Sequence, residues 1–230
     1  MANVPFNSPY YPYEKVQEGF LTMRGSETIP YKVINYLLDL PDDNGYEPFD
    51  DNSRPRVRLA KYLWYDGARP LENVLPTPTE KMSMFYDGDI PVLNTDIDKE
   101  RHPKGYRIVP VGYFLQAELT AKTVLKCWLG RVVPTDFTAT IGLNFQIVVN
   151  TDFDSTTRTE AFSRAYNIEQ CIIEALNGVN ITGIGTVRYS RAAFIDDGSR
   201  YQWDEGTHIY RSPTLSIDWA ESDMGVVRTY

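Results

Sequence analysis

Histidine and cysteine are nearly missing from this chain, with two of each in 230 residues. A Ser-His-Asp triad would have to use His102, beside Pro103, or His208, and no G-x-S-x-G elbow lies near either. Both therefore read as ordinary surface residues. Cys127 and Cys171 are too few for a disulfide framework and too isolated for zinc-ligand spacing. They read as small buried hydrophobes in a chain that folds in a reducing cytosol. Apolar runs are short. None reaches the roughly 18 residues that a membrane-spanning helix needs, and Pro5, Pro9, Pro12, Glu14 and Glu18 leave no signal-peptide core near the start. Phosphate-cradling glycines are lacking too. Gly183-Ile-Gly185 has no third glycine at the required spacing, follows a helical pattern instead of opening one, and no P-loop occurs. The acidic stretch Asn94–Glu100 alternates oxygen ligands as a calcium loop does, yet Lys99 and Gly105 stand where that loop requires Gly and Glu. Asn180-Ile-Thr182 is a chance sequon. No catalytic residue, cofactor or metal ligand set is therefore expected. Basic residues are also the minority: 23 Lys and Arg against 31 Asp and Glu give a net charge of -8, which repels nucleic-acid backbones and anionic membranes.

What is present is a folding composition. Hydrophobic residues make up 42% and aromatics 13%, with 16 tyrosines and 15 prolines. A chain of this length buries roughly 70% of its unfolded surface. Its character changes near residue 106. Residues 1–105 read as an arm, short helices and long loops, and residues 106–230 as a core of strands and one helix; one continuous domain is the alternative reading. In the first part, Tyr10, Tyr11 and Tyr13 lie among helix-breaking prolines in residues 1–25. Thr28 and Pro30 open a helix whose apolar face is Val33, Ile34, Leu37 and Leu38. Residues 57–65 fit helix or strand equally. Thr77 and Glu80 form a capping-box pair for a two-turn helix. Residues 41–56 and 87–105 read as loops.

In the second part, residues 107–116 and 123–133 read as strands. Residues 138–149 alternate, with Ala139, Ile141, Leu143, Phe145, Ile147 and Val149 on one face. Asp154 or Ser155 caps a helix of about 20 residues, 156–177, with Phe162, Ala165, Ile168, Ile172 and Leu176 as its stripe, a Glu160–Arg164 pair on its polar side, and Asn177-Gly178 as its stop. Residues 184–195 are extended, 196–208 form a long polar hairpin loop, and Leu215, Ile217 and Trp219 alternate in a last strand. The order β-β-β-α-β-β predicts an α+β fold: an antiparallel sheet of four to six strands with one long helix packed on a face, a long β-hairpin, and an N-terminal helical or irregular extension.

That element order, carried by strands 123–133 and 138–149, helix 156–177 and the strand–loop–strand 183–219, resembles the tail terminator and neck (head–tail joining) proteins of tailed bacteriophages. The resemblance covers a little over half of the chain and rests on element order without a diagnostic motif. The N-terminal hundred residues have no counterpart in the small terminators, which keeps other connector, head-closure or tail components in view. It implies a virion subunit assembled in the host bacterial cytoplasm. Six identical subunits, or twelve in some connectors, would form a ring against tail-tube, sheath or connector neighbours, with DNA passing through unbound and no membrane partner. Candidate interface residues are Tyr10, Tyr11, Tyr13, Arg188, Arg191, Arg200, Tyr201, Trp203 and Arg211, since tyrosine and arginine are enriched at interfaces. Rival readings are an enzyme that uses acidic residues and an adhesin.

Overall fold

The computed structural model describes residues 26–40, 49–85, 107–110, 123–134, 138–154, 163–189, 200–204 and 208–220, with backbone alone at 200–204 and 220. Helix α1 (Ile29–Leu37) presents Val33, Ile34 and Leu37 to the core, as the periodicity predicts. Its start differs from expectation. Thr28 makes no side-chain cap and instead ends a 3-10 turn, Ser26–Thr28, that leads into the helix. Residues 57–65 resolve as helix: α2 (Pro55–Trp64) has Pro55 in its first turn, where a missing N–H costs nothing. Helix α3 (Pro78–Ser83) has the complete capping box, Thr77 accepting from the Glu80 N–H while the Glu80 carboxylate accepts from Thr77.

The described sheet has eight strands, more than the four to six expected: β1 (Ile108–Val109), β2 (Thr123–Pro134), β3 (Thr138–Asn150), β4 (Asn180–Ile181), β5 (Gly185–Arg188), β6 (Arg200–Asp204), β7 (His208–Ser212) and β8 (Thr214–Ala220). The main order is β1-β2-β3-β8-β5-β4, and β6 pairs with β7. All described strand pairs are antiparallel except β1 on β2. Between the expected strands, residues 107–116 contribute only Ile108–Val109 among the described residues, and 184–195 contribute Gly185–Arg188. The stretch 196–208 is not simply loop. Arg200–Asp204 pairs with His208–Ser212, so the hairpin is strand almost to its tip.

The register exposes a simpler design. β7 pairs with the second half of β3 and β8 with the first half, as in Asn150↔His208 and Thr138↔Ala220, in one unbroken register. They are one long strand punctuated by Pro213. The Pro213 carbonyl accepts from the Phe145 N–H at 3.0 Å, but proline has no N–H to return the bond. Outside this strand the neighbour changes from β5 to β6.

Two helices complete the second half: α4 (Thr151–Asp154) and α5 (Arg164–Leu176). The long helix thus starts later than residue 156. Ser163, not Asp154 or Ser155, is its N-cap and accepts from the Tyr166 N–H at 3.1 Å. Gly178, at φ 81, takes the left-handed conformation just past its end. Phe162 and Glu160 lie outside the described residues. Ile168, Ile172 and Leu176 join Ile141, Leu143, Phe145 and Ile147 in one buried cluster with residues of α1 and α2. Helices therefore cover one face of the sheet, and both parts of the chain share a core. Val109, Val124 and Val148, with Tyr210 against them, form a small second cluster on the other parity of the strands.

Candidate functional site

Charged side chains inside this fold converge on helix ends. Arg107 is 1% exposed and forks onto Asp66, with contacts of 2.7 and 2.9 Å, while also donating to the Leu63 carbonyl at 3.0 Å. Arg164 donates to the carbonyls of Tyr65 and Gly67. Two guanidiniums thus hold the C-terminal end of α2, where the helix dipole is negative. Arg164 therefore serves α2; its expected partner Glu160 lies outside the described residues. Arg58 of α2 pairs with Glu174 of α5. Lys61 is buried and reaches Asp50 and the Asn52 side chain.

At the other end of α5, Asp154 accepts from the Ala165 N–H at 2.8 Å, and burial pushes its carboxyl above the usual carboxylate range against that hydrogen bond and the nearby Ser163, Arg164 and Arg211. Glu169, 2% exposed, pairs with Arg211, whose guanidinium lies 5.0 Å from the centre of the Tyr166 ring.

A second grouping sits at the C-terminal end of α1. The Lys81 ammonium, 1% exposed, donates to the Leu38 carbonyl at 2.7 Å. Arg56 pairs with Asp39 and stacks 4.4 Å from the Tyr36 ring centre. Asp39 has φ 51, a left-handed conformation uncommon outside glycine. Burial, and then the Arg56 charge, bring the Lys81 ammonium down to about 8. Sequence reading missed this cluster and the two arginines of α2. The alternating Arg56, Val57, Arg58 and Leu59 resembles a half-exposed strand, and nothing local marks Lys81 as buried.

The predicted interface residues fall in different places. Arg188 is on the outward face of β5, paired with Asp218 of β8 at 3.2 Å, with both side chains more than half exposed. Arg211 is part-buried against α5, so its guanidinium is engaged inside the subunit. Arg200, Tyr201 and Trp203 are on β6, where the backbone alone is described. Tyr10, Tyr11, Tyr13 and Arg191 lie outside the described residues. The structure therefore places Arg188 on β5 and Arg211 on β7, two strands that do not pair, and does not make them one site.

Both cysteines are buried: burial raises the thiol of Cys127 and pushes that of Cys171 up to about 12, which disfavours the nucleophilic thiolate. His208 is half-buried in β7, with its ring 6.3 Å from Tyr210; His102 lies outside the described residues. Among the described residues no group of three or more His, Cys, Asp or Glu comes together to hold a metal ion, and no helix is long and apolar enough to cross a membrane.

No curated protein and no solved structure matches the chain. A family model matches residues 57–209, from within α2 to the first two residues of β7. It takes in β2, β3, α5 and the charge contacts at both ends of that helix, and on this match the chain belongs to the YomW family.

Proposed function

We propose that this protein is a structural virion subunit of a tailed bacteriophage, forming a ring of identical subunits at the neck or the top of the tail. The observation that carries the reading is the arrangement of the second half. A long antiparallel pair, β2–β3, receives α5 on one face, and the chain then returns through the paired strands β6 and β7 into β8. This is the sheet, inserted helix and long hairpin that the resemblance to tail terminator and neck proteins implies. The family name suggests a phage-derived protein, which agrees with that setting.

The electrostatics support an architectural role. Arg107, Arg164, Asp154 and Glu169 are buried and hold helix ends or cross-element pairs. Buried ions used in this way hold the elements they join in fixed relative positions. In the ring, subunits present Arg188 and the hairpin strand β6 toward neighbours, tail-tube, sheath or connector proteins adjoin it, and DNA passes through a lumen that does not bind it.

Native mass spectrometry of the purified chain, followed by a reconstruction of the particle that carries it, tests the proposal. A closed ring of six or twelve copies located at the neck or tail top is expected. A monomer or dimer that stays so at high concentration, and is missing from the particle, would overturn it.

A further inference from the structure

We propose that the C-terminal end of α1 is an oxyanion-binding site in which Arg56 and Lys81 together hold one carboxylate or phosphate group. The two cations are neighbours, because they grip consecutive residues of one turn, Leu38 and Asp39. Among the described residues their donors exceed the acceptors that meet them. Lys81 is fully enclosed, yet the Leu38 carbonyl is the acceptor for its ammonium, which carries three N–H groups. The Arg56 Nε is buried and has no partner. A buried donor left unmade is costly, and such groups in folded proteins ordinarily mark a ligand, ion or water.

Charge gives the same answer. Among the described residues two cations face one carboxylate, Asp39, and the negative end of α1 supplies only about half a charge more. The surplus positive charge sits where desolvation is severe, and an oxyanion would neutralise it while accepting the spare N–H bonds. The side chain of Arg56 is 27% exposed, which gives a small anion a way in. The Tyr36 ring stacks on the guanidinium and the left-handed Asp39 fixes its far edge, so the Nε edge is held in place before any ligand arrives.

The site is independent of the ring reading and is tested on the full-length chain with simple anions. Equilibrium dialysis against inorganic phosphate, and in parallel against acetate, is run at matched ionic strength on the parent and on Arg56→Gln. One bound anion per chain is expected in the parent, with affinity at least tenfold lower in Arg56→Gln. Saturation by phosphate alone identifies a phosphate ligand, and saturation by acetate alone a carboxylate. Arg56→Lys retains the charge but lacks the Nε donor and should recover only part of the affinity. Lys81→Met, provided it folds, should lose binding entirely. Absence of saturable binding of either anion, or equal binding by the parent and Arg56→Gln, overturns the proposal.

Discussion

Gly130 is the position where a single methyl group tests the described sheet most sharply. The register between β2 and β3 slips between Leu129 and Val132, which makes a bulge at Gly130 and Arg131. A Cβ on Gly130 would lie 2.5 Å from the Asn144 Nδ2 and 3.0 Å from its Cγ. The obstacle is steric, since the backbone of Gly130 is not in the left-handed region. Asn144 cannot simply swing aside, because its Oδ1 accepts from the Thr214 hydroxyl at 2.9 Å across β3 and β8. Overpacking costs about 1–3 kcal/mol, and a lost hydrogen bond about 0.5–1.5 kcal/mol. Lower entropy of the unfolded chain with alanine offsets about 0.4–1 kcal/mol. Gly130→Ala should therefore destabilise by roughly 1–3 kcal/mol, read by urea unfolding as a lower midpoint at unchanged slope. In the double variant with Asn144→Ala the new methyl group meets open space, so the combined loss should fall short of the sum by about 1 kcal/mol. A Gly130→Ala protein as stable as the parent, or strict additivity with Asn144→Ala, would refute the steric argument.

Asp154→Asn retains the acceptor for the Ala165 N–H and removes a buried charge, so it should unfold no more easily than the parent at neutral pH, whereas Asp154→Ala should lose about 1–2 kcal/mol in denaturant unfolding. The folded-state pKa of Lys81 is about 8, below its ordinary 10.5; the unfolded chain then binds the extra proton, so this group's contribution to stability rises as pH climbs from about 8 to 10.5. Unfolding curves across that window should show the rise in the parent and not in Lys81→Met. Ile172 is fully buried beneath β3, and Ile172→Ala should cost about 2–5 kcal/mol by thermal or chemical unfolding.

Much of the architecture is legible in side-chain periodicity. The alternation from Ala139 to Val149 marks a strand with one buried face, and the spacing of Ile168, Ile172 and Leu176 marks the helix that covers it. Both patterns arise from strong, repeated burial, which local sequence records directly. Boundaries set by single polar groups are less visible. Asp154 is a reasonable cap by residue type, but Ser163 caps α5, while the Asp154 carboxylate reaches Ala165 from eleven residues away. The choice depends on tertiary placement. The strands β6 and β7 are hidden by Asp196, Asp197, Asp204 and Glu205, polar residues that suggest a loop, although Arg200–Asp204 pairs with His208–Ser212 as a hairpin. The candidate anion site was invisible for a related reason. Lys81 meets Leu38 across 43 residues, and neither neighbourhood hints at the other.

The continuity of β7 and β8 has a consequence for the order in which the molecule can be made. One side of β3 is satisfied early, by β2, which precedes it by three residues in sequence. Its other side waits for residues 208–220, which in synthesis follow α5 and the outer strands β4–β6. Until they emerge, one of the longest strands in the sheet has an open hydrogen-bonding edge and an apolar face that its helix can cover only in part. Such an edge is a template for pairing with another chain. Folding of the described core therefore cannot finish vectorially from the N-terminus. The strand closing β3 sets the completion time, and the nascent protein is most exposed to mispairing just before Pro213 and β8 arrive.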